Sequence, residues 1–147
     1  MRKLSLPKLL LPFMLASPIA LAATAEQKQT AFETVDRNAQ TIADISDSIF
    51  YFGELGMQEV ESTKLVQDTL KAAGFRVELG GAGMPTNLWA EYGEGRPRVG
   101  EVTEHDALPG GSQTPGAFDR KPLVEGGPGH MEGHNTHGGV ASAAAFA

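Results

Sequence analysis

Apolar residues set the first element. Phe32, Val35, Ala39, Ile42, Ile45 and Ile49 recur at three- and four-residue steps with polar residues between them. That spacing predicts one amphipathic helix from Glu26 to about Phe50. Gly53-Glu54-Leu55-Gly56 interrupts the pattern. A second helix is expected over Val60 to Ala73, with Leu65, Val66, Leu70 and Ala73 as its stripe and Gly74 as a left-handed stop. The period then changes to two. Phe75, Val77 and Leu79 alternate with Arg76 and Glu78, which predicts a strand over 75–79. Further strands are expected over 86–92 and 98–103, separated by the glycine clusters Gly80-Gly81-Ala82-Gly83 and Gly93-Glu94-Gly95.

From Glu104 to Thr136 the chain is rich in glycine, proline and polar residues. An irregular stretch of about 30 residues is uncommon in a compact domain and is usually functional. The last run, Val140 to Ala147, reads as the opening of an apolar small-residue helix, and its stop without a cap suggests a chain cut short. Helices followed by short strands make a mixed helix-and-strand chain.

The segment before Glu26 has a different character. Met1-Arg2-Lys3 is basic, Leu9–Leu15 and Ile19–Ala22 are apolar, and Ala20-Leu21-Ala22 ends in small residues. This is the layout of a secretory signal peptide over 1–22, with an alternative end at Ala25. A membrane anchor is the competing reading. The run is short and broken by Pro7, Pro12 and Pro18, against the ~20 apolar residues that a span requires. The remaining domain is then 26–147, expected in the periplasm or outside the cell and off the membrane once the leader is removed.

Charge and cysteine narrow the chemistry. The chain carries 12 basic and 18 acidic residues. Loss of Arg2, Lys3 and Lys8 with the leader moves the net charge from −6 to about −9. Such a surface does not suit nucleic acid. There is no cysteine, so disulfides, thiolate metal sites and cysteine nucleophiles are excluded.

The four histidines, His105, His130, His134 and His137, lie in the last third of the chain. Three fall in Gly129-His130-Met131-Glu132-Gly133-His134-Asn135-Thr136-His137. Glycines allow sharp folding, and a helix beginning near His134 would put His134 and His137 on one face. Glu132 would reach the same point. This donor set suits a divalent ion. A polar surface loop whose histidines bind nothing has the same spacing, and spacing alone leaves both open. A second cluster, Glu104-His105-Asp106, follows an expected strand and precedes Leu108-Pro109-Gly110. Strand ends are where α/β proteins gather their sites.

These segments together resemble the metal-dependent amidohydrolases of the zinc-peptidase-like family, which includes aminoacylases and hippurate hydrolases. The resemblance is nearest to the branch that cleaves aminobenzoyl-glutamate. Gly53-Glu54-Leu55-Gly56-Met57-Gln58-Glu59 with Ser62-Thr63 is similar to the family's P-E-L-G-x-Q-E…T segment, and Ala82-Gly83-Met84-Pro85-Thr86 to its turn before a strand. Glu104 to Gly110 is similar to E-Y-D-A-L-P-G, and Gly129 to His137 to G-H-x-C-G-H-D/N-x-H.

The resemblance implies the first part of a three-layer α/β/α catalytic domain. It implies Glu132 and His134 as metal ligands and Asp106 as a catalytic-site residue that orients a ligand. Glu104, His105, His130 and His137 are further candidates, as ligands or pocket walls. Two departures bear on the metal. Glu132 stands where the family has a cysteine ligand, and His105 stands where it has tyrosine. Carboxylate in place of thiolate favours harder ions, which keeps manganese beside zinc. The intact family members hold up to two ions and act on a small N-acyl amino acid. Their general base, later ligands and dimerisation domain are expected beyond residue 147, so the chain alone is expected to be inactive. A non-enzymatic periplasmic metal-binding module built on the same loop is the alternative.

Overall fold

The computed structural model describes residues 23–147. The expected signal peptide, 1–22, lies outside them. Among the described residues, helices α1 (Ala25–Arg37), α2 (Ala39–Phe52) and α3 (Val60–Ala72) precede strands β1 (Arg76–Leu79) and β2 (Leu88–Glu91). Helix α4 (His134–Phe146) closes the order. The fold is therefore mixed helix and strand, compatible with an α/β class.

The single helix expected from Glu26 divides at Asn38. Apolar periodicity runs straight through this point and gives no warning. The Asn38 side-chain amide donates to the Thr34 carbonyl at 2.8 Å, and its backbone sits at φ −100°, ψ 7°. Asparagine offers the backbone such local bonds in place of the helical ladder. The apolar stripe divides as well. Ile45 and Ile49 of α2 are buried, whereas no residue of α1 is, and Phe32 is exposed. Helix α2 ends at Gly53 in the left-handed region, whose N–H returns to the Ile49 carbonyl.

The start of α3 is held from outside its own sequence. The Glu54 carboxylate accepts from the N–H groups of Glu61 and Ser62, each at 2.9 Å, and from the Ser62 hydroxyl at 2.8 Å. It thus satisfies donors that the first helical turn leaves open and sets negative charge at the positive end of the helix. At the other end, Gly74 has positive φ, and the Phe75 N–H reaches back to the Leu70 carbonyl. This is the stop that Gly74 predicts.

Strands β1 and β2 pair antiparallel, with Val77 opposite Ala90 and Leu79 opposite Leu88. Phe75, Val77, Leu88, Ala90 and Phe146 pack on the core of Ile45, Ile49, Val66 and Leu70. The strand expected over 98–103 does not form. Val99 and Val102 are exposed, and the segment has no ladder partner among the described residues. A strand is stable only when its backbone groups are paired, and alternation alone does not supply a neighbour.

Two isolated bridges position the site instead. Leu55 pairs with Ala107 in parallel, and Leu108 with Gly129 antiparallel. The Ala107 N–H reaches the Glu54 carbonyl at 2.6 Å, and Leu108 and Gly129 exchange bonds of 3.1 and 3.0 Å. The Gly53–Gly56 turn, the 104–108 segment and the 129–134 loop are therefore tied together. Helix α4 lies against α2 across its smallest residues. A methyl group on Gly139 would meet the Ile42 carbonyl oxygen at 3.1 Å and Ser46 Cβ at 3.3 Å.

Candidate metal centre

His134 opens α4, and its ring stands among three carboxylates. Nδ1 lies 3.0 Å from Asp106 Oδ1 and 3.7 Å from Glu132 Oε1, and Nε2 lies 3.3 Å from Glu104 Oε1. A neutral imidazole carries one proton. With that proton on Nδ1 and donated to Asp106, Nε2 presents a lone pair toward Glu104. Two electron-rich atoms so close require a proton or a cation between them.

His137 joins on the same side. It follows His134 by one helical turn, with ring centroids 5.2 Å apart. One donor atom from each of Glu104, His134 and His137 falls within 4.8 Å of the others. Asp106 behind His134 completes a carboxylate–histidine pair of the kind that fixes the tautomer of a metal ligand. The chemistry of this donor set fits a divalent ion that accepts both imidazole and carboxylate.

Glu132 lies on the other side of the His134 ring, on the Nδ1 face. Both of its carboxylate oxygens are buried without a hydrogen-bond partner. His130 is beside it, with Nδ1 3.3 Å from Glu132 Oε1 and its side chain wholly out of solvent. The structure thus gathers Glu104, Asp106, Glu132 and His137 around the His134 ring, with His130 beside Glu132. The pair singled out by sequence resemblance, Glu132 and His134, are neighbours, but the tightest ligand-like group adds Glu104 and His137 to His134 and leaves Glu132 behind.

His105 is turned away from this group. Its ring lies against Thr63 of α3. The Thr63 hydroxyl donates to the Thr86 carbonyl at 3.1 Å, so its oxygen accepts from His105 Nε2–H at 3.2 Å. Burial holds this imidazole below its ordinary pKa, and the nearby carboxylates of Glu59, Asp106 and Glu54 oppose the shift. Its remaining nitrogen, Nδ1, is buried without a partner.

Sequence reasoning did not find the supporting partners. Thr63 and Thr86 stand in motif segments, yet nothing in the spacing says that they hold His105. The Ile49 carbonyl, which lies 3.0 Å from His130 Nε2, is a backbone atom 81 residues away and leaves no sequence signal.

Fold and donor set together define a class: a mixed helix-and-strand protein with a histidine–carboxylate cluster able to hold a divalent ion. No protein-family model matches the chain. It is 33% identical over 115 residues to one of the subunits of the p-aminobenzoyl-glutamate hydrolase of Escherichia coli (strain K12), a match covering 78% of this chain and 24% of that protein. The chain is related to this amidohydrolase as a partial match and spans about a quarter of its length.

Proposed function

We propose that this chain contributes the first metal-binding segment of an amidohydrolase that cleaves the amide bond of an N-acyl or N-aroyl amino acid, with an aminobenzoyl-glutamate-like substrate as its model. The observation that carries this reading is His134, held by Asp106 and facing Glu104 and His137. A divalent ion bound there, zinc or manganese, would supply an activated water and polarise the amide carbonyl. The chain's own residues then have defined tasks. His134 holds the ion through Nε2, with Glu104 and His137 beside it and Glu132 on the Nδ1 side. Asp106 keeps the His134 proton on Nδ1 and so leaves Nε2 free to coordinate. The three carboxylates compensate its charge. The relative is one chain of a multi-chain hydrolase by its name, which supports a partner chain in the intact enzyme.

The 147-residue chain by itself is inactive in this reading, since it corresponds to about a quarter of the relative. Purified chain incubated with zinc or manganese should release no amino acid from N-benzoyl-glutamate or p-aminobenzoyl-glutamate. Metal-dependent release of glutamate would overturn the claim. The same reading assigns the protein to the periplasm, on the strength of its leader-like first residues. No helix of the described residues is long and apolar enough to cross a membrane. N-terminal sequencing of chain recovered from a bacterial periplasm should read from Ala23 or Glu26, and an intact Met1 would refute export with cleavage.

A second reading is a non-enzymatic metal-binding module. It is favoured by the convergence of Glu104, His134 and His137 within this chain alone. It predicts tight, near-stoichiometric binding with a gain of structure, whereas the enzyme-segment reading predicts weak binding. Calorimetric titration with circular dichroism before and after separates them.

A further inference from the structure

The buried pair behind His134 has an unfilled requirement. His130 Nε2 lies 3.0 Å from the Ile49 carbonyl oxygen, which can only accept, so the ring proton sits on Nε2. Nδ1, the ring's other nitrogen, faces Glu132. It is buried and unpartnered, 3.3 Å from Glu132 Oε1. Both Glu132 oxygens are likewise buried and unpartnered. The His134 proton does not relieve them, because it is taken by Asp106 at 3.0 Å and Glu132 stands off at 3.7 Å. Three buried polar atoms thus meet in one place without a hydrogen bond. A single proton shared between Nδ1 and Oε1 would still leave Oε2 orphaned. One divalent cation chelated by the carboxylate and bound by the nitrogen satisfies all three.

We propose that His130 is a metal ligand through Nδ1, acting with Glu132 on the inner side of His134. This rests on the metal-centre reading above and deepens it. The Ile49 carbonyl is then the outer partner that fixes the tautomer and aims the lone pair, in the way that backbone carbonyls orient ligating histidines. A buried imidazole added to a carboxylate shifts preference toward zinc or cobalt and away from magnesium or calcium.

The test is cobalt substitution of the whole 147-residue chain. A bound Co2+ ion gives visible d–d absorption and shifts the ring N–H resonances of its histidine ligands far outside the diamagnetic range. The His130 Nε2–H is buried and hydrogen-bonded, so in D2O it should be the last shifted N–H to disappear, which identifies it without any variant. His130→Gln keeps a donor for the Ile49 carbonyl and deletes the ligand atom. It should remove that resonance and weaken Co2+ binding by about 10-fold or more while leaving the circular dichroism unchanged. If Co2+ binds and no slowly exchanging N–H is shifted, His130 is not a ligand, and the metal centre stands without it. If wild-type chain binds no Co2+, this inference and the metal-centre reading fall together.

Discussion

His134→Ala should abolish measurable divalent-ion binding. The ring is the one group that faces both halves of the cluster, Glu104 and His137 through Nε2, Asp106 and Glu132 through Nδ1. Its loss therefore removes a ligand and leaves three carboxylates without the group that separates them. Removing an outer-shell partner of a metal ligand costs about 10–100-fold in affinity, so removing the shared ligand should cost more than ~100-fold. Asp106→Asn is the informative companion. Asparagine cannot accept the Nδ1 proton as a carboxylate does, and it can present a donor to Nδ1 instead. The ring then loses its fixed tautomer but keeps its place, and affinity should fall by about 10–100-fold. Calorimetry with zinc measures both. A His134→Ala chain that still binds zinc at wild-type affinity would mean that the ion sits elsewhere. Equal losses for the two variants would mean that Asp106 is itself a ligand.

The candidate site was legible to the extent that its chemistry is carried by side chains close in sequence. Glu132, His134 and His137 lie within one glycine-rich stretch, and a helix start at His134 puts two of them on one face. Asp106 and Glu104 could be joined to them only by the motif resemblance, because the bond of 28 residues' separation between Asp106 and His134 depends on two backbone bridges that no spacing encodes. His105 shows the opposite failure. It shares a cluster with Glu104 and Asp106 in sequence, yet its ring pairs with Thr63 of α3. In the fold, periodicity recovered α3, β1 and the core of β2. It missed the division at Asn38, where a side-chain bond competes with the helix, and it supplied a third strand over 98–103 where alternation found no partner. Helix ends and unpaired strands are decided by single polar contacts and by neighbours, which hydrophobic patterning does not represent.

The same bridges make Gly129 a point on which the site depends. Gly129→Ala should destabilise the chain by about 3 kcal/mol, the upper end of what overpacking usually costs. Gly129 exchanges backbone bonds with Leu108 and lies flush against Gly111 and Ser112. A Cβ there would strike the Gly111 carbonyl oxygen, and would lie 2.5 Å from the Gly111 carbonyl carbon and 2.7 Å from Ser112 Cα. These are backbone atoms, so no rotamer change can make room. The added methyl has to part the 108–112 segment from the 127–130 loop, breaking the Leu108–Gly129 pair and moving His130 off the Ile49 carbonyl. Gly138→Ala is a matched contrast. Its Cβ would meet the Ile49 Cδ1 methyl at 2.7 Å, the movable end of a side chain, and should cost nearer ~1 kcal/mol. Gly100 has open space around it, and Gly100→Ala should change stability by less than about 0.5 kcal/mol. Urea unfolding of the three variants gives the ranking. Zinc titration then tells whether stability and site are linked: Gly129→Ala should lose affinity as well as stability, and Gly138→Ala should lose mainly stability. If Gly129→Ala matched Gly100→Ala, the close approach of the two loops would not exist in solution, and the geometry built on it around His130 and His134 would have to be abandoned.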